Sequence, residues 1–414
     1  MLGNRFDRVG RIVSAPDLPP AFHQLWIGKT ASGSGDFLVS AGVPILAAVT
    51  TESANLVAAV TTALAIPWLL FGLGAGAIVD RIDRRTALIG MGIIRTVVFS
   101  AASLLTAAGI LPALTLVVVA VMTGVAKVMN ETAVTSLTPH LVEKNALDRA
   151  NSRLLTAELV TETLSVLVAG ALAGIGGVAV FATGALCALA GLFALLRLRR
   201  YPLAAPTVPR TTDEHGGLLE GFRVLWSIPA LRLIALIGAV INTAWDAFLT
   251  VFILYAIAPG PIGLSPFGYG LLMTVSIAGG IAGSTLAPRL LARWGHRSGV
   301  GLNIFANGVT FAAPVLFVSP WMIGLVFLVS DAATPLWRVA TVSLQQRAVP
   351  EEVRGRAFAA YRIISLGAAT TGPAIGVAIA SQTGSRGLFA ILSIACFALL
   401  IPFFLRISER SMNP

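Results

Sequence analysis

Among the ionisable side chains inside long apolar runs of this chain, where a lipid bilayer would exclude them, ten stand out as candidates for chemistry. Four are basic, Lys29, Arg95, Lys127 and Arg338, and six are acidic, Asp36, Glu131, Glu158, Glu162, Asp246 and Asp331. Each costs about 2.5–3.5 kcal/mol at bilayer depth on insertion scales, so such groups face water or one another. The chemistry open to them is uptake and release of protons or ions. Lys29, Ser32, Asp36 and Ser40 recur every three or four residues and share one helical face. Asp36, near the middle of its run, reads as a proton carrier; the alternative is a buried ion pair, with Lys29 close by. Asp246 invites the same reading without a basic neighbour on its own helix. Lys127 and Glu131, four apart and flanking Asn130, form either a simple helix pair or a switching pair that protonation of Glu131 would open.

The remaining polar positions leave similar alternatives. Glu158 and Glu162 are four apart and repel, unless Glu158 reaches water near its helix start. Asp331 and Arg338 are two turns apart, and Arg338 is near enough to a helix end to snorkel. Arg95 reads as structural. Asn242 shares a face with Asp246, and Trp245, Phe248 and Phe252, with Trp337 and Tyr361, offer either packing or a surface for an amphiphilic molecule. Together Lys29, Ser32, Ser40, Lys127, Asn130, Asn242, Arg338 and these five aromatics are the expected lining of a central cavity.

The elements that must position these residues are helices crossing a membrane. The 414 residues are 56% apolar and only 12% charged, with mean hydropathy +0.85. A soluble domain carries roughly a quarter charged residues. Twelve apolar runs are long enough to span, at about 25–49, 55–79, 86–108, 113–136, 152–173, 175–197, 231–257, 267–291, 299–317, 321–344, 357–381 and 386–406. Connections alternate between nearly uncharged and arginine-rich, the latter including "DRIDRR", "EKNALDR", "RLLARWGHR" and "PEEVRGR". The positive-inside rule puts these, and both termini, on the cytoplasmic side. The net charge of +10 then follows from topology, and a nucleic-acid partner is not expected.

The expected organisation is an all-α membrane protein with a cytoplasmic tail (1–21), a six-helix bundle (22–197), a linker (198–230), a second bundle (231–406) and a short tail (407–414). In the linker Leu218, Leu219, Phe222, Leu225 and Trp226 recur at helical spacing, predicting an amphipathic helix on the inner leaflet. The bundles repeat: Gly28 and Asp36 match Gly238 and Asp246 at 210 residues, Cys187 matches Cys396 at 209, and "RIDRR" (81–85) matches "RWGHR" (293–297) at 212. Six-plus-six repeats belong to transporters that rock two halves about a midplane site. The two cysteines lie in apolar runs, so neither a disulfide framework nor a metal site is indicated. No Walker A, nucleophile elbow or dinucleotide fingerprint is present, which leaves an ion gradient as the energy source. No cofactor is expected, nor any enzyme activity.

"GAGAIVDRIDRRTAL" (74–88) resembles the signature loop between helices 2 and 3 of the major facilitator superfamily, with Gly76, Asp80, Arg81, Arg84 and Arg85 in place and Asp83 where the family has Gly. "LWIGKTASGSGD" (25–36), "SLTPHLVEKNALDRANSRLLTAE" (136–158), "GLLEGFRVLWSIPALR" (217–232) and "VPEEVRGRAFAA" (349–360) resemble its drug:proton antiporter branch, which contains enterobactin and macrolide exporters. The resemblance implies a twelve-helix fold and a gate in which Asp80 and the arginines tie cytoplasmic helix ends together. It also exposes departures. Helix 5 has "SVLVAG" (165–170) where the branch has a Gly-Pro-x-x-Gly-Gly-like sequence, whereas "GPAIG" (372–376) stands in helix 11. The family often has Glu and Asp where this chain has Lys127 and Glu131.

The leading expectation is a monomeric, proton-coupled exporter of an amphiphilic small molecule, a drug, macrolide or siderophore-like compound, in the cytoplasmic membrane. Its partners would be that substrate, protons and membrane lipids. An importer or lysolipid flippase on the same fold is the alternative, followed by a non-transporting membrane sensor or assembly partner.

Overall fold

The computed structural model describes residues 18–51, 53–71, 84–143, 146–201, 214–350 and 353–412. Its helices are α1 (Pro20–Thr51), α2 (Ala54–Phe71), α3 (Arg84–Ala107), α4 (Ala113–Leu141), α5 (Leu147–Ile175), α6 (Gly177–Arg197), α7 (Glu214–Ser227), α8 (Pro229–Ala256), α9 (Pro266–Leu316), α10 (Pro320–Asp331), α11 (Thr334–Ala348), α12 (Arg354–Gly367), α13 (Gly372–Arg406) and α14 (Glu409–Met412). Among the described residues nine helices are long and apolar enough to cross a membrane. A helix satisfies its own backbone within lipid, and the Ser and Thr side chains that interrupt these runs do likewise. In α1, Ser32 donates to Gly28 O at 2.7 Å and Ser34 to Thr30 O at 2.8 Å.

Two spans are too long to cross once. Pro266–Leu316 has 51 residues, about 75 Å of straight helix against a hydrocarbon core of about 30 Å. Within it Gly295 has φ 82°, and within α13 Gly384 has φ 75°, left-handed conformations that glycine adopts without a Cβ clash. At Gly295 the chain folds back: a Cβ on Gly299 would come within 2.4 Å of the Leu291 side chain. The expected span at 321–344 is also interrupted, by a turn between Asp331 and Thr334.

The repeat read from sequence reappears as packing. In the N-terminal half α1 packs on α5 and α6, α3 on α6 and α2 on α4; in the C-terminal half α8 packs on α13 and α9 on α10, α11 and α13. Arg85, at the start of α3, donates to Leu198 O at 3.4 Å, just past the end of α6. Its repeat mate Arg297 donates to Phe404 O at 2.7 Å, near the end of α13. Each arginine thus meets the carbonyl-rich end of the last helix of its half, where cations are favoured.

The halves meet through α2 against α12 and α13, and through α5 against α9. The α5–α9 contact is closest at the end remote from the arginine-rich connections, where a Cβ on Gly170 would lie 2.5 Å from Pro266 O. Towards those connections both helices expose most of their side chains, over 151–162 in α5 and 281–289 in α9. Along α5 and α9 the halves therefore pack closely at one end and part at the other, while Trp68 of α2 and Arg362 of α12 still meet across them.

The linker helix α7 does not lie on its own at the surface. It packs along α12 so closely that a Cβ on Gly221 would meet Arg356 O at 2.3 Å, and Glu220 pairs with Arg356. Leu225 is buried in a small cluster with Ala235, Ala360, Phe222 and Tyr361, while Leu219 and Trp226 face outwards. Of the residues expected to form its apolar face, Leu218 has a side chain outside the described set.

Candidate functional site

The site is built first by how α1 is turned. Gly28, Gly35 and Gly42 recur every seven residues and pack on α6; a Cβ on Gly35 would lie 2.9 Å from Gly184 O, and one on Gly191 2.8 Å from the Ser32 backbone N. Small residues let two membrane helices approach this closely. With that face committed to α6, the neighbouring face of α1 turns towards α4 and α5. There it lines a cavity of about 50 Å³ with Lys29, Thr30, Gly33, Asp36 and Phe37. From α4 come Lys127, Asn130 and Glu131, and from α5 Leu154, Glu158 and Thr161. A larger hollow of about 640 Å³ shares Thr30 and Thr161 with it and continues past Trp26 and Arg153 towards the arginine-rich end.

Asp36 lies at mid-length of α1, and its partner is not Lys29. The carboxylate oxygen Oδ2 is 3.3 Å from Nη1 of Arg95, at mid-length of α3, and the two side chains are 2% and 1% exposed. Neither carboxylate oxygen, nor any of the three guanidinium nitrogens, has a hydrogen bond of good geometry. The pair is held by charge more than by hydrogen bonding. Arg95, read from sequence as structural, is thus the residue that sequence reasoning placed outside the site. Its signal was present: an arginine at the centre of an apolar helix needs an anion, and Asp36 is the anion at equal depth.

Lys29 instead pairs with Glu158 of α5 at 2.5 Å, nearer the cavity mouth. Lys127 and Glu131 form no ion pair within 4.0 Å; Lys127 Nζ sits 4.5 Å from the Phe37 ring centroid, a cation–π contact. Glu131 is exposed at the edge of the same cavity. Arg362 belongs to α12 in the other half, and its guanidinium lies over the Trp68 ring of α2, at 5.5 Å.

Several expected lining residues sit elsewhere. Ser32 is fully buried against α6, because its position falls on the glycine face. Ser40 lies beyond the cavity with its hydroxyl buried. Glu162 is exposed and not paired with Glu158 in a shared site, since Glu158 turns to Lys29. Phe248 and Phe252 are 0% exposed and stack on each other at 4.9 Å within a cluster that includes Phe311, Phe327 and Phe389. They fill the core of the C-terminal half and present no surface to a cavity. Arg338 is exposed, in the second turn of α11 and ten residues before its end at Ala348, and makes no pair with Asp331.

The other C-terminal residues form hydrogen-bonded contacts. Asp331 accepts from Ser276 at 2.5 Å and from Thr334 at 3.3 Å, across the turn that interrupts α10 and α11. Asn242 donates to Ser365 O and Oγ, both at 3.0 Å, and Trp245 donates to Asn307 at 2.5 Å. Tyr361 packs beside Ala235 and Ala360 in the cluster around Leu225. Asp246 has no ion pair among the described residues; α13 closes over it, so that a Cβ on Gly372 would lie 2.8 Å from its own Cβ. "GPAIG" therefore marks where α13 crosses α8, after a 3₁₀ turn at Ala368–Thr371. Helix α5, with "SVLVAG", is continuous. Of the loop signature, Gly76, Asp80 and Arg81 lie outside the described residues, Arg84 begins α3, and Arg85 holds the end of α6 as described above.

A family profile described as transmembrane secretion effector matches residues 14–412. No curated sequence matches significantly. Among solved structures, a bacterial homologue of the iron transporter ferroportin in an inward-facing state matches with TM-score 0.73 at 17% identity, covering 94% of this chain and 100% of that one. The nucleoside transporter NupG gives TM-score 0.73 at 14% identity, with coverage of 94% and 100%. A bacterial homologue of the lysosomal transporter Spinster, inward-facing and unoccupied, gives 0.71 at 16%, with coverage of 96% and 98%.

Proposed function

The chain belongs to the transmembrane secretion effector family and is a multi-pass membrane transporter of major-facilitator type, and on that premise we propose that it exports an amphiphilic small molecule in exchange for protons. The observation that carries the coupling is the Asp36–Arg95 pair, two charges buried at mid-helix depth without supporting hydrogen bonds. Desolvation of such a pair nearly offsets its Coulomb attraction, so its members change partners at low cost. Asp36 also lines the cavity that continues through Thr30 and Thr161 to the arginine-rich end, which supports a water path to it. A proton arriving at the Asp36 carboxylate releases Arg95, and a proton leaving it restores the pair.

In this reading the arginine-rich end is cytoplasmic. Counting the reversals at Gly295 and Gly384 and the shorter α2, the chain crosses the cytoplasmic membrane twelve times with both termini inside. The parted end is then open inwards. The substrate occupies the cleft between Lys127, Glu131 and the polar groups around Asn242 and Tyr361, and the halves rock about it. Export is favoured over import by the family's description as a secretion effector.

Everted membrane vesicles with a respiration-built, acid-inside gradient test this. Hydrophobic cations, macrolides and siderophores are added to vesicles carrying wild-type protein or Asp36→Asn. Compounds that collapse the gradient in wild type alone support coupling through Asp36. Equal collapse in both makes Asp36 structural, and no response to any compound in wild type removes drug export.

A further inference from the structure

The hollow of about 640 Å³ beside the charged cavity has a wall of its own chemistry. From α5 it takes Arg149, Ser152, Arg153, Thr156 and Val160, which recur every three or four residues and are all exposed. At 100° per residue they lie about 120–180° around α5 from Glu158, the side chain that meets Lys29, so this flank of the helix turns away from the charged cavity. From α1 comes Trp26, whose Nε1 donates to Arg153 O at 3.3 Å and whose ring lies 4.7 Å from the Arg153 guanidinium. Nη1 of Arg153 is also 3.5 Å from Nε2 of His23. Among the described residues no carboxylate comes within 4.0 Å of Arg153, and none lines the hollow. Thr161 and Thr163 donate to Ala157 O and Leu159 O, whereas the hydroxyls of Ser152 and Thr156 make no such bond. Further along α5, Val160, Leu164 and Val168 follow at one-turn spacing and are 51%, 54% and 41% exposed, an apolar strip of the kind that meets acyl chains.

We propose that this hollow binds the headgroup of an anionic phospholipid, with Arg149 and Arg153 on its phosphate and one acyl chain along Val160, Leu164 and Val168. Guanidinium groups donate short, charge-assisted hydrogen bonds to phosphate oxygens, and the Ser152 and Thr156 hydroxyls add neutral ones. Tryptophan and arginine near a helix start belong at headgroup depth, and basic pockets between membrane helices on the cytoplasmic side select anionic lipids. Trp26 holds Arg153 in place from below, through its ring and its N–H. The headgroup is itself hydrated and leaves Thr30 and Thr161, where hollow and cavity join, in reach of water. The inference goes beyond the export reading and takes from it only the leaflet, the cytoplasmic one, that supplies the lipid.

The full-length chain in detergent is titrated with phosphatidylglycerol or with phosphatidylcholine, and native mass spectrometry counts the lipids that stay bound. Phosphatidylglycerol should be retained preferentially. Arg149→Gln and Arg153→Gln should each weaken its binding about fivefold, the scale of one basic residue meeting an anionic membrane, and leave phosphatidylcholine unchanged. Arg153→Lys should keep part of the preference, separating loss of the site from loss of the fold. Arg232→Gln is the control, because Arg232 also lies over a tryptophan, 5.9 Å from the Trp226 ring centroid, but stands outside the hollow. An equal loss in Arg232→Gln, or an unchanged preference when Arg149 and Arg153 are both replaced by glutamine, overturns the site. Inorganic phosphate in large excess should fail to displace phosphatidylglycerol, since it has no chain to lay along α5. Displacement would make the occupant a free phosphate and overturn the lipid assignment. Neither measurement uses a gradient or a substrate, so silent transport vesicles would leave the lipid site standing, and loss of the lipid preference would leave export standing.

Discussion

Asp36 and Asp246 occupy matching places in the two halves, yet only one of them has a countercharge. At the 212-residue offset that relates Arg85 to Arg297, the place of Arg95 is taken by Asn307. Arg95 turns to Asp36, whereas Asn307 accepts from Trp245, one residue before Asp246. Around that exchange the halves diverge. The N-terminal half lines its cavity with the ion pairs Lys29–Glu158 and Asp36–Arg95; the C-terminal half fills the same region with stacked phenylalanines and amide hydrogen bonds. One packing plan therefore supports both a charged interior and an apolar one, and the choice rests on a few side chains at mid-helix depth.

The comparison can be broken most directly at its charged side. Arg95→Met leaves Asp36 buried and unpaired, and should cost about 3–5 kcal/mol of stability. Thermal unfolding in detergent would show it, and Asp36→Asn with Arg95→Met should recover stability without recovering coupling. In the other half, Phe248→Ala empties a fully buried site and should cost a similar 3–5 kcal/mol or slightly less. Proton coupling per substrate should survive it, measured as gradient collapse per molecule of protein that remains folded; loss of coupling would refute the division between halves. Asp246→Asn should reduce coupling less than Asp36→Asn does, since no cation is released by it. Smallest, Lys29→Gln removes a half-exposed pair and should shift stability by less than about 1 kcal/mol, with a detectable change only in the salt dependence of unfolding.

The sequence already carried the helical class, the arginine-rich connections and the repeat, because apolar length and charge placement are set residue by residue. Helical periodicity also put Lys29, Lys127 and Asn130 on polar faces expected to line a central cavity, and these three do line one, in company with Asp36, Glu131 and Glu158. What it could not carry was which neighbour each stripe meets. Ser32 shares a stripe with Asp36 but is a fraction of a turn nearer the glycine face, and close packing on α6 claims it. Lys29 is the cation nearest to Asp36 in sequence, whereas Arg95, from another helix, is the one at its depth. Phe248 and Phe252 looked available because periodicity marks a face without saying what covers it; α9, α10 and α13 do.

The six charges gathered in the N-terminal half, Asp36, Glu131 and Glu158 with Lys29, Arg95 and Lys127, sum to zero. A membrane voltage exerts no net force on a set of charges that moves together and cancels, whereas one unbalanced charge is worth about 2.3 kcal/mol per 100 mV. In the proposed cycle these six charges therefore add nothing to the charge moved when all are ionised, and each bound proton adds one positive charge to the swing. In that cycle the membrane voltage acts on the cavity charges only in the proton-loaded stroke.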